Sequence, residues 1–203
     1  MNIYINSPGG SVFASSTIVS LLKRFRQEKS VKIHSYVDGL CASAATYLAM
    51  VADDINIYQN SFVMIHKPMT ISWGNADDLQ KDIDTLNTIE NNMMIPMYLT
   101  KAKVTEEEIK ELIAKETWFS GNKDDSLYFG NFFNANLLEE VKAVNACVSD
   151  KLFKNYKNIP SMLKNKEAND INNNKKVNDD KNTEPINYEE YEGILSSLKK
   201  MEV

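Results

Sequence analysis

The strongest constraint on how this chain folds is a change of apolar period that recurs along its first two-thirds. Short β-rich runs, "NIYIN", "VKIHSYVDG", "DINIYQ" and "FVMIHK", alternate with stretches whose apolar residues return every three or four positions. A strand sends successive side chains to opposite faces, whereas a helix needs 3.6-residue spacing, so one pattern cannot serve as the other. Their alternation predicts an α/β layered fold, in which ligands gather at loops leaving the strand C-termini. Ser11 is placed to cap a first helix whose apolar face is Val12, Ile18, Val19, Leu22 and Phe25. "SAATYLAMV" predicts a helix over about 44–51. A long helical pattern runs over 75–100 through Leu79, Ile83, Leu86, Ile89, Met93 and Met97, and Pro96 is expected to kink or end it. A further helix over about 105–114 precedes "ETWFS".

A chain of 203 residues suffices for one domain with a real core plus a tail. Its 23 basic and 28 acidic residues give a net charge of −5, with no basic stripe to follow a phosphate backbone, which argues against nucleic acid as a partner. No apolar run approaches the roughly 20 residues that span a bilayer, and no basic-flanked leader opens the chain. A cytoplasmic protein with no membrane partner is expected. Cys41 and Cys147 are too few for a disulfide framework and too isolated for a zinc cluster, so both read as buried thiols, and no metal or cofactor is expected.

Composition shifts near residue 150. Residues 1–150 carry the periodic apolar patterns and read as the folded domain. Within 151–185, "LKNKEANDINNNKKVNDDKNTEP" is almost entirely Asn, Lys, Asp and Glu, the composition of a disordered linker. Residues 186–203 then predict a short amphipathic helix with Tyr188, Tyr191, Leu195 and Leu198 on one face, Glu early and Lys late.

Three loops carry candidate chemistry. Ser7-Pro8-Gly9-Gly10 follows the first strand, where glycines permit positive φ and close backbone approach; taken alone it reads first as a tight turn. In "DGLCASAATY", Ser43 sits after a turn at the first residues of a helix. Such a serine is commonly an N-cap, but the flanking Ala42, Ala44 and Ala45 leave space above its hydroxyl, and the helix start offers amides where an oxyanion would develop. In "FVMIHKP", His66 closes an apolar strand. Ser43 precedes it by 23 residues, so one strand–turn–strand connection could return the imidazole to the hydroxyl, as base catalysis requires. His34 lies within a strand and reads as structural or surface.

Four motifs, "INSPGGSV", "DGLCASAAT", "MIHKP" and "ETWFS", resemble in order those of the Clp protease proteolytic subunit family. "YVDGLCASAAT", "WGNADDL" and "ETW" are similar to its phage prohead, or head maturation, branch. The resemblance covers residues 1 to about 140 and implies a Clp protease/crotonase-like layered fold. It makes Ser43 the nucleophile, His66 the general base and the amides of Gly10 and Ala44 the oxyanion hole, with the Pro-Gly-Gly turn presenting bare backbone to an extended peptide. The third triad member falls at Glu116, where many relatives carry aspartate; Asp124 and Asp125 are weaker candidates. No G-x-S-x-G elbow is present, which disfavours an α/β-hydrolase.

The family pattern carries a further N-terminal segment ahead of the strand that begins here at Asn2. Its lack would expose Ile3 and Ile5 and leave the first strand as an unprotected edge. The function implied is a serine endopeptidase, ATP-independent or assisted by an ATPase chaperone. It would act on protein substrates such as capsid or scaffold proteins in phage head maturation, as a homo-oligomer. Two alternatives stay open: a crotonase-like acyl-thioester enzyme, which shares the fold and paired-amide hole, and a catalytically inactive structural remnant.

Overall fold

A computed structural model of the protein describes residues 1–138, 156–160 and 163. These belong to the first of two compact units, Met1–Asn165; the second, Lys166–Val203, with the expected tail helix, lies outside the described residues, as does Cys147.

The period changes in the sequence become, in order, β1 (Asn2–Ser7), α1 (Val12–Lys29), β2 (His34–Ala42), a 3₁₀ turn (Ser43–Ala45) and α2 (Thr46–Met50). β3 (Asp54–Tyr58) and β4 (Phe62–Ile65) follow, then α3 (Ala76–Ile89), a π turn (Glu90–Met94) and α4 (Ile95–Leu99). The described part ends with α5 (Glu106–Ala114), β5 (Thr117–Ser120), α6 (Phe129–Phe132) and β6 (Asn136–Leu138). Helix starts follow local chemistry. Ser11 accepts from the amide of Ala14, as its position predicts, and Asn75 with Asp78 and Thr105 with Glu108 form reciprocal capping boxes.

The long helical pattern over 75–100 is not one helix. Pro96 cannot donate in a helical ladder and its ring crowds the carbonyl four residues back. The chain takes up that conflict as the π turn just before Pro96, which stands in the first turn of α4.

Among the described residues six strands form one sheet, in the order β5-β4-β2-β3-β6, with β1 also on β2. All pairings are parallel except β4 with β5. β3 pairs residues 34–37 of β2 and β4 pairs residues 40–42, so β2 spans two partners in succession. The main core lies between the sheet and α1, α2, α4 and α5, with Val37, Ile55, Ile57, Val63, Ile65, Tyr98, Ile109 and Phe119 all buried. A second apolar cluster, Leu40, Ala42, Met64 and Trp118, is covered by Tyr156, Ile159 and Leu163.

Two expectations about apolar faces are corrected. Ile5 is only 3% exposed and joins Val19 and Leu22 in the core, and Ile3 is half-buried; the outward residue of β1 is Tyr4, stacked on Tyr36 with ring centroids 5.1 Å apart. The alternation of β1 turns Ile5 inward under α1, so pairing with β2 leaves it no open face. On α1, Ile18 (44%) and Phe25 (40%) are exposed, because only the narrow stripe through Val19 and Leu22 meets the sheet. His34 lies at the start of β2, with its Nδ1 3.0 Å from a carboxylate oxygen of Asp54. Cys41 is fully buried, and burial pushes its thiol up to about 12, so it behaves as a packing residue.

Phe119 is the packing hub of the β5 end, in contact with the rings of Phe129, Phe132 and Phe133 at centroid distances of 5.8, 5.1 and 5.6 Å. Phe119→Ala is expected to cost about 3–5 kcal/mol in chemical denaturation. Phe25→Ala, on the exposed stripe of α1, should stay within about 0.5 kcal/mol.

Candidate active site

Strand register alone brings the candidate residues to one level. In the β2–β4 ladder Ala42 stands opposite Met64, so Ser43, one residue on, leaves β2 beside the C-terminal end of β4, where His66 follows Ile65. In the β4–β5 ladder Ile65 faces Thr117, which sets Glu116 next to His66. On β1, Ser7 pairs with Cys41 after a bulge, delivering Pro8-Gly9-Gly10 to the same place. The amide of Leu40 donates to Asn6 Oδ1 at 3.1 Å and holds that bulge against β2.

The hydroxyl of Ser43 and Nε2 of His66 are 2.7 Å apart. His66 is only 6% exposed. Burial pulls its imidazole below the ordinary value of 6.5, and the negative charge of Glu116 works in the opposite direction. A neutral imidazole that accepts from Ser43 at Nε2 carries its proton on Nδ1.

Ser43 turns sharply out of β2 with φ 55, a left-handed conformation that is uncommon for a residue with a side chain. Its carbonyl accepts from the hydroxyl of Thr46 at 2.5 Å, and that hydroxyl also shares a hydrogen bond with the buried Tyr98 at 2.8 Å. Gly9, with φ 97, lies so close that an added Cβ would stand 2.6 Å from the Ala42 carbonyl oxygen and 2.8 Å from the Cβ of Ser43. Glycine is required there on both counts. The expectation that Ser43 opens a helix changes in one respect: the amides after it belong to a single 3₁₀ turn, so any oxyanion contact comes from local N–H groups and not from a long helix dipole.

Glu116 is 9% exposed and also left-handed, with φ 51. Among the described residues no hydrogen bond joins it to His66. Its Oε1 accepts instead from the backbone amides of Lys157 and Asn158, at 2.7 and 2.6 Å, and from the indole of Trp118 at 3.4 Å. Asp124 and Asp125 are exposed in a turn beyond β5, and Asp125 accepts from the amide of Leu127. Directly after His66, Lys67 reaches Glu90 at 3.1 Å and ties the histidine loop to the π turn.

Tyr156 is the site residue that sequence reasoning missed. Its ring meets His66 edge-on, with centroids 5.6 Å apart, and Trp118 at 5.9 Å, while its hydroxyl donates to the carbonyl of Pro8. The available signal was the apolar and aromatic content of "KLFKNYKNIP", just ahead of the Asn/Lys-rich run.

The chain is similar to the ATP-dependent Clp protease proteolytic subunit 2 of Synechococcus sp. (strain CC9605), at 31% identity over 86 residues, 41% of this chain and 42% of the relative. It is equally similar to subunit 2 of Parasynechococcus marenigrum (strain WH8102). It is 30% identical to the ATP-dependent Clp protease proteolytic subunit 1 of Prochlorococcus marinus (strain NATL2A) over 93 residues, 45% of each chain. The chain thus spans less than half the length of these curated relatives. The model of the Clp protease family matches residues 1–130, the stretch that holds every strand bearing Ser43, His66 and Glu116. With that match over most of its length and the mixed α/β fold of the family, the chain belongs to the Clp protease family.

Proposed function

We propose that the protein is a serine endopeptidase in which Ser43 attacks the peptide carbonyl and His66 takes its proton. One observation carries the reading: a hydroxyl and an imidazole nitrogen 2.7 Å apart, at adjacent strand ends, in a chain of the Clp protease family. As Ser43 Oγ bonds to the carbonyl carbon, its proton passes to Nε2 of His66. The carbonyl oxygen gains charge and is met by the amides of Gly10 and Ala44. His66 then returns the proton to the leaving amine, and water releases the acyl group by the same steps in reverse roles. Glu116 is the third member; its negative charge favours the imidazolium that forms midway.

The wider setting belongs to the same proposal. Exposed Phe13, Ile18, Leu21 and Phe25 on α1 support self-association into a homo-oligomer. The name of the relatives, ATP-dependent proteolytic subunits, supports an ATPase chaperone as partner. The "WGNADDL" and "YVDGLCASAAT" wording supports capsid or scaffold proteins as substrates in phage head maturation. No helix among the described residues is long and apolar enough to cross a membrane, in keeping with a cytoplasmic site of action.

Ser43→Ala and His66→Ala are each expected to lower hydrolysis of a short fluorogenic peptide by at least roughly 10³-fold, and the double variant should lose little more, because the pair acts as one unit. Near-parental turnover by Ser43→Ala would remove the reading. The base must be neutral to work, and burial holds His66 below its ordinary value. The acid limb of the kcat/KM profile should therefore have its midpoint below pH 6.5. Glu116→Gln removes the charge that opposes burial and should move that midpoint lower still.

A further inference from the structure

The contacts of residues 156–158 do not help the reaction proposed above. The hydroxyl of Tyr156 donates its one proton to the carbonyl of Pro8 and lies within electrostatic reach of Ser43. With its proton committed to Pro8, the phenol oxygen can face Ser43 only as an acceptor. The Tyr156 ring stands edge-on to the imidazole. One side chain thus reaches the nucleophile, the base and the turn that should receive a peptide backbone, leaving little room for a substrate carbonyl between them.

The next two residues act on the acid. Their amides donate to Glu116 Oε1 at 2.7 and 2.6 Å, short charge-assisted bonds of the strong kind. A carboxylate oxygen satisfied twice by backbone, and again by Trp118, gains little by turning toward Nδ1 of His66. The strap is fastened on both sides of these contacts. Asn158 Nδ2 donates to the Lys115 carbonyl at 2.7 Å, and Tyr156, Ile159 and Leu163 cover the apolar cluster of Leu40, Ala42, Met64 and Trp118.

We infer that residues 156–158 form an autoinhibitory strap: closed, it caps Ser43 and His66 with Tyr156 and holds Glu116 away from the imidazole; open, it frees the Pro8 turn for substrate and Glu116 for His66. The inference rests on the proposed roles of Ser43 and His66 and deepens them. A closed site is reached only by the fraction of molecules in which the strap has lifted, so any change that unfastens it raises the rate by the inverse of that fraction.

The test is hydrolysis of a short fluorogenic peptide by the full chain and by Tyr156→Ala and Asn158→Pro. The first removes the cap; the second removes one of the amides holding Glu116. Each is expected to raise the rate about tenfold, as for a site closed in nine molecules of ten. Glu116→Gln should cost at least about tenfold in either opened variant and measurably less in the parent, where the same substitution also weakens the bonds from Lys157 and Asn158 and so lifts the strap more often, a dependence that a merely structural strap would not create. Unchanged or lower rates in both variants, with folding verified by circular dichroism melts, would overturn the strap. In that case the serine reading stands if a fluorophosphonate still labels those variants at Ser43. Hydrolysis by an opened variant that survives Ser43→Ala would overturn the serine reading itself.

Discussion

The site depends on strand register. Ser43, His66 and Glu116 are far apart in sequence, and what aligns them is the pairing of Ala42 with Met64 and of Ile65 with Thr117. A slip of one residue in either ladder would turn every side chain of that strand to the opposite face and carry the histidine or the glutamate out of reach. The register is specified because both faces of these strands are filled: Val63, Ile65 and Phe119 face the main core, while Ala42, Met64 and Trp118 face the second apolar cluster. A slipped strand would exchange one packed set for the other, and the burial that stabilises the sheet is therefore also what places the chemistry.

Onto that frame the chain adds strain and buried polarity at the points of use. Ser43 and Glu116 both adopt left-handed backbone at strand ends, conformations that cost on the order of 1–3 kcal/mol each unless the surroundings enforce them. For Ser43 the enforcement is visible in Thr46, which binds its carbonyl while Tyr98 orders the threonine hydroxyl from deep in the core. Beside His66 the Lys67–Glu90 pair fixes the following loop to the π turn before α4. Burial lowers the basicity of the imidazole and the nearby carboxylate partly restores it, so the enclosure of His66 sets its basicity.

Much of this was legible in the sequence because it is local. The alternation of "NIYIN" and "FVMIHK", the Ser11 cap, and the placement of Ser43 and His66 at loop ends all follow from spacing and residue type, and the structure brings that pair together. The conformational demand on Gly9 was readable in the same way. What was not legible is non-local or competitive. That Ile5 is buried while Ile18 and Phe25 are exposed depends on the angle at which α1 crosses the sheet. The interruption of 75–100 at Pro96 was readable, but its form, a π turn between two helices, depends on how the chain resolves the conflict there. Tyr156 lies about 90 residues beyond the histidine it touches, next to a polar run whose composition hides the few apolar residues that pack. No period or motif marks a contact of that kind.

The proposed chemistry rests on His66 making the hydroxyl of Ser43 nucleophilic across 2.7 Å. The most direct measurement is mass-spectrometric mapping of the adduct formed by a fluorophosphonate probe on the folded chain. A single adduct is expected on the peptide carrying Ser43, lost when His66 is replaced by alanine with the fold intact. An adduct at another residue, or one at Ser43 whose formation is indifferent to His66, would contradict it.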